Sequence, residues 1–221
     1  MNATAVLARV RDAERRAGRA PGSVTLVGAS KTRTTAEVQS AHAAGVTDFG
    51  ENYVQELVLK APQCRTARWH FIGHLQRNKA KAVALHASCL HTLDSTRLAD
   101  HLDGLLTGRA DFDVLLEVNV GGEGSKGGVA PDGAEALAEH VLRHCPSLRL
   151  VGLMTIPPPD DAPRVWFAAL RELRDRLAAR LGHPLPALSM GMSDDLDEAV
   201  LEGATFVRVG TALFGPRPPK V

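Results

Sequence analysis

The 221-residue chain has no apolar run approaching the roughly 18 residues that a bilayer-crossing helix needs, so it is not expected to span a membrane. It has almost no net charge, since 26 basic and 25 acidic residues leave +1. A surface built to grip nucleic acid carries a basic excess, so that class is set aside. Aromatic residues are only 4%, too few for a stacking platform along a single strand. Cysteine is scarce: Cys64, Cys89 and Cys145 are odd in number and lack CxxC spacing. That argues against a disulfide framework or a structural zinc centre, and predicts reduced thiols in a cytoplasmic protein with no metal site. The opening MNATAVLARVRDAERRAG has charges among its apolar positions, which predicts an amphipathic helix over about residues 2–18 rather than a signal peptide.

What is present is an alternation of β-type and helical runs. Strands are predicted at TLVGAS from Thr25, DFGE from Asp48, RWHFIG from Arg68, CLHTL from Cys89, DVLLEVNV from Asp113, RLVGLMTI from Arg149, ALSMGM from Ala187 and FVRVGTALFG from Phe206. Several are apolar throughout, as strands buried on both faces are. Helices fit between them. Thr34 and Glu37 have capping-box spacing, the longest helix runs from Pro163 to Gly182, and Ser193 stands as the N-cap of DDLDEAVLEGA. Eight β/α units predict a single (β/α)8 barrel of the TIM type with an extra N-terminal helix, spanning residues 1–221 as one domain. An open doubly wound sheet is the alternative, but SKTRTT after the first strand lacks its glycine fingerprint. PPPDDAP at 157–163 reads as a loop.

A barrel of this kind carries its active site at the C-terminal ends of its strands. Lys31 follows the apolar run LVGAS there. An enclosed ammonium is costly, and an enclosed lysine becomes a usable amine nucleophile towards carbonyls; a lysine reaching the rim, or paired with Glu51, is the plainer reading. Ser193 with Gly210 and Thr211, after strands 7 and 8, suits a phosphate, the first amides of the following helix at Asp194 and Asp195 helping. Simple capping by Ser193 is the alternative. In FVRVG, Val207 and Val209 facing the helices would turn Arg208 into the barrel, towards a ligand or an ion pair with Glu117. Together, an amine, a phosphate cradle and a donor for a ring acceptor suit a phosphorylated aldehyde such as pyridoxal 5′-phosphate. The glycine-rich GGEGSKGG lacks P-loop spacing and reads as a mobile loop carrying Lys126.

The blocks VGASKT, DFGENYVQE, WHFIGHLQRNK, GLMTIPPP, LSMGMSDDLDEA and VRVGTALFG resemble the signatures of the YggS/PROSC family, the pyridoxal phosphate homeostasis proteins. They run from about residue 25 to 215. The resemblance implies a barrel like the N-terminal domain of alanine racemase, with Lys31 carrying the cofactor as an internal aldimine. It also implies Ser193, Gly210 and Thr211 at the phosphate, Arg208 near the pyridine nitrogen, and Asn52, His74 and Met154 lining the pocket. In the loop after strand 5, Gly124 stands where family members more often carry an acidic residue.

Three functions remain open. An arginine at the ring nitrogen leaves a shallow electron sink, which favours a protein that holds and hands on the cofactor, with little or no catalysis. Lys126 is the candidate amine for transfer, apo-enzymes are the expected acceptors, and a monomer is expected. An amino-acid racemase needs a second base, and Tyr53 is the only tyrosine. A Schiff-base aldolase acting on a sugar phosphate is the third.

Overall fold

The strands are short, nearly wholly buried, and separated by helices long enough to cross back over them, which is what a closed parallel sheet requires. In the computed structural model, which describes residues 2–109, 111–124, 126–159 and 162–216, they close into one barrel in chain order. The strands are β1 (Thr25–Ala29), β2 (Asp48–Glu51), β3 (Arg68–Phe71), β4 (Cys89–Leu93), β5 (Phe112–Glu117), β6 (Leu148–Met154), β7 (Ala187–Ser189) and β8 (Phe206–Val209). Closure comes where β8 pairs with β1, Arg208 lying beside Val27.

Helix α1 (Ala3–Arg16) precedes the barrel, and α2 (Thr35–Ala43), α3 (Val54–Lys60), α4 (Ala80–His86), α5 (Thr96–Leu105), α6 (Ala134–His144), α7 (Pro163–Leu181), α8 (Leu196–Leu201) and α9 (Thr211–Phe214) surround it. The Thr34–Glu37 capping box forms on α2, and α7 stops at Gly182, whose φ of 59° suits glycine. The main core lies between strands and helices; Phe49, Leu90, Leu116, Val207 and Val209 pack there without solvent exposure.

Two sequence expectations change here. The predicted eighth strand ends at Val209, and its continuation becomes α9. Ser193 does not cap α8, which begins at Leu196 after Asp195; Asp194 and Asp195 lie in the preceding turn. Ser125 of the glycine-rich loop and residues 160 and 161 of the predicted 157–163 loop lie outside the described residues. No described helix is long and apolar enough to cross a membrane.

Candidate functional site

A cleft of about 180 Å³ opens at the C-terminal ends of β1, β7 and β8, lined by Ala29, Lys31, Arg33, Met192, Ser193, Asp194, Arg208, Gly210 and Thr211. Lys31 enters it from a turn that is clamped on both sides. Before it, Ser30 is fully buried; its hydroxyl donates to Glu51 Oε1 over 2.7 Å, and its carbonyl accepts from Lys60 Nζ at 2.7 Å. After it, Thr32 takes a left-handed φ of 65°, unusual for a β-branched residue, and its amide donates to Glu56 Oε2 at 2.8 Å. Lys60 ties these anchors together, donating at 2.6 Å to both Glu51 and Glu56. Glu51, a partner weighed for Lys31, is ion-paired with Lys60. Burial raises the Glu51 carboxyl above its ordinary value despite the bonds from Lys60 and Ser30.

Across the cleft, Ser193 Oγ accepts from the Ala212 amide at 3.2 Å, which joins the loop after β7 to the first turn of α9. The Ser193 carbonyl accepts from Arg9 of α1 at 2.6 Å, and Arg9 also binds Asp197. Asp195 accepts from the amide of Met192, a cleft residue, whereas Asp194 itself lines the cleft. Arg33, which sequence reasoning missed, lines the same cleft. It bonds the Gly215 and Pro216 carbonyls and lies over the Phe214 ring. Its place two residues after Lys31, between Thr32 and Thr34, is the signal that was there to be read.

Arg208 points into the barrel, as the valine alternation predicts. It is 5% exposed and donates to Ser189 Oγ at 2.7 Å and to the Thr155 carbonyl at 2.9 Å. Burial lowers its pKa to about 10, and the Glu117 charge opposes the shift. Glu117 is itself raised by burial.

The remaining expected residues lie elsewhere. Asn52 and His74 line a neighbouring cleft with Tyr53 and Gln76, where the chain packs so closely that a Cβ on Gly73 would meet the Asn52 carbonyl at 2.3 Å. His74 is exposed, 3.6 Å from Asp94. Met154, the last residue of β6, is wholly buried in a cluster with Cys89, Leu115 and Ala187. Lys126, expected on a mobile loop, is engaged: its Nζ donates to the Pro157 carbonyl at 2.8 Å and pairs with Glu123 at 2.5 Å.

Residues 2–218 match the family model of the alanine racemase N-terminal domain. The chain is 47% identical over 219 residues to the pyridoxal phosphate homeostasis protein of Pseudomonas aeruginosa, covering 98% of this chain and 94% of that one. It is 44% identical to the protein of the same name from Aquifex aeolicus, covering 96% and 95%. Among solved structures, PipY of Synechococcus elongatus with PLP bound superposes with a TM-score of 0.80 at 36% identity, over 92% of this chain and 99% of PipY. Alanine racemase from Corynebacterium glutamicum shares the fold at 18% identity with a TM-score of 0.74, over 97% of this chain but 62% of the racemase.

Proposed function

The chain belongs to the pyridoxal phosphate homeostasis protein family, and from that premise we propose that it binds pyridoxal 5′-phosphate in the Lys31 cleft, holds it through the lysine and hands it to apo-enzymes. The donor set fits this cofactor. One cleft brings together a half-buried amine for an aldehyde, serine and threonine hydroxyls beside Gly210 for a phosphate, and a buried guanidinium for a ring acceptor. When bound, the cofactor supplies an electrophilic aldehyde and, if its ring nitrogen is protonated, an electron sink.

The protein's own residues work against that sink. Arg208 keeps its protons at neutral pH even with its pKa lowered to about 10, so it donates a hydrogen bond without giving up a proton. Lys31 supplies the amine, and the clamp of Lys60, Glu51 and Glu56 directs it. Ser193 and Thr211 supply hydroxyls to the phosphate. The observation that carries the reading is that Lys31, Ser193, Gly210, Thr211 and Arg208 line one cleft; among the described lining residues the one carboxylate, Asp194, is exposed, and Tyr53 is 53% exposed in the neighbouring cleft. Proton removal from one face and return to the other needs two bases, so racemisation is disfavoured. The racemase reading keeps one support, the match to the alanine racemase N-terminal domain. The three cysteines are free and buried, in keeping with a reducing compartment such as the cytoplasm, where the protein acts as a monomer.

The visible spectrum of the loaded protein, followed by borohydride reduction and peptide mass mapping, tests this. The cofactor should be fixed on Lys31, and Lys31→Ala should lose both the visible band and the label. A label on another lysine overturns the assignment, and a protein that takes up no cofactor overturns the function.

A further inference from the structure

Behind Arg208 a line of polar side chains crosses the barrel interior. Asp48 of β2 stands 2.9 Å from His70 Nε2 of β3, and His70 Nδ1 stands 2.9 Å from His91 Nε2 of β4. His91 Nδ1 lies 2.8 Å from Ser189 Oγ of β7, which accepts from Arg208 Nη1 at 2.7 Å. His70, His91 and Ser189 have no solvent exposure. Phe206 flanks both imidazoles, with ring centroids 5.6 and 5.3 Å away.

The direction of every bond follows from the ends of the line. Burial pushes the Asp48 carboxyl up, but the bonds from His70 and Thr47 outweigh it and keep it below the usual carboxylate range. An ionised carboxylate only accepts, so His70 carries its proton on Nε2. Burial lowers both histidines, His91 well below its ordinary value, so both rings are neutral. The Nδ1 of His70 must then accept, His91 must donate from Nε2, and the His91 Nδ1 accepts the Ser189 hydroxyl proton. The serine oxygen keeps a lone pair, which the guanidinium, a pure donor, fills. Five groups on five strands satisfy one another in a single sense, with no position left for a reversed proton.

We infer that Asp48, His70, His91 and Ser189 are positioning residues forming a one-way hydrogen-bond relay that holds Arg208 as a fixed donor at the floor of the Lys31 cleft. The relay spreads the arginine's charge towards a carboxylate on the far side of the barrel and fixes the guanidinium plane. Its consequence for the cofactor rests on the function proposed above; the relay itself does not. The rival use of these rings is a metal site. Cys89 Sγ and ring nitrogens of His70 and His91 lie within 4.8 Å of one another. An ion there must break the His70–His91 bond, and burial keeps the Cys89 thiol protonated.

Nitrogen NMR of the full-length protein, with histidine and arginine labelled and no cofactor added, reads the relay directly. Both rings should be neutral with the proton on Nε2 from about pH 6 to about pH 8, and added zinc should leave them unchanged. Asp48→Asn, equal in size but able to donate, should move the Arg208 guanidinium signals at the other end of the line. It should also weaken pyridoxal phosphate retention about threefold to tenfold. A cationic ring, a proton on Nδ1, zinc bound at the rings, or unmoved Arg208 signals in folded Asp48→Asn overturns the relay. The ring measurement uses the unaltered protein, so it stands even if the variant does not fold. Failure to bind pyridoxal phosphate, with the rings and arginine behaving as stated, overturns the functional reading and leaves the relay intact.

Discussion

Lys60 Nζ stands 2.6 Å from Glu51 Oε1, and the two side chains are 2% and 0% exposed, directly behind the turn that carries Lys31. Both ions have left water, so the pair persists only because further bonds complete it: Ser30 reaches both members, and Glu56 reaches the lysine. Removing one partner strands the other. Lys60→Met should therefore destabilise the fold by about 3–5 kcal/mol.

That loss should depend on pH with a definite sign. Burial already raises the Glu51 carboxyl above its ordinary value, and without Lys60 it rises further. Between the unfolded and folded values the native state holds the extra proton, so stability falls as pH climbs through that window. The melting temperature of Lys60→Met should fall further below wild type at pH 8 than at pH 5. An equal deficit at both would show that Glu51 does not titrate with folding.

Ser193→Ala and Thr211→Val each remove one hydroxyl from the rim of the cleft. Each should lower pyridoxal phosphate affinity about fivefold, on the order of 1 kcal/mol per bond, with more lost where the partner is a charged phosphate. Equilibrium dialysis measures it. Unchanged affinity in the double variant would move the phosphate away from β7 and β8.

Arg208→Glu replaces a donor that keeps its protons with an acid able to share one. A folded, loaded variant should exchange the α-hydrogen of added amino acids in deuterated water faster than wild type, as followed by proton NMR. No gain would show that Arg208 is not what keeps the chemistry quiet. Because the glutamate is shorter and lacks the second donor to Thr155, folding is checked first by circular dichroism.

Lys126 is proposed to take the cofactor on its way out, and in the structure it bridges Glu123 and the Pro157 carbonyl. Lys126→Ala should bind normally and show a normal spectrum, yet slow reactivation of an apo-acceptor enzyme by pre-loaded protein. Equal rates would make release simple dissociation.

The barrel was legible because its signals are local: apolar runs of strand length, the Thr34–Glu37 box and the stop at Gly182 each act within a few residues. The placement of Lys31 at the mouth and the inward turn of Arg208 followed from strand ends and alternation. The Lys60 clamp was not legible. Lys60 sits in the last turn of a helix, where a lysine ordinarily meets solvent and complements the helix dipole. Only the packing of α3 on β2 buries it. The same holds for His70, Asp48 and Ser189, which alternation alone leaves as isolated polar residues in apolar strands. The eighth strand was drawn too long because TALF is as apolar as a strand; the turn at Gly210 made it a helix. Asn52, His74 and Met154 came from the family resemblance; Asn52 and His74 lie in a neighbouring cleft, and Met154 lies in a buried cluster with Cys89, Leu115 and Ala187.

Helix α1 leads the chain, yet its partners come last. Its Arg9 holds the Ser193 carbonyl and Asp197, and the Asn2 amide donates to the Leu213 carbonyl. A chain that comprises only its first six β/α units lacks α8 and α9, on which this helix packs. The barrel seam between β1 and β8 and the bracing of the loop at Ser193 both join segments separated by nearly the full length of the sequence, the kind of non-local contact that folds slowly. Without residues 182–221 there is neither β7 nor β8 to close the sheet, and Ser193, Arg208 and Thr211 are missing from the cleft.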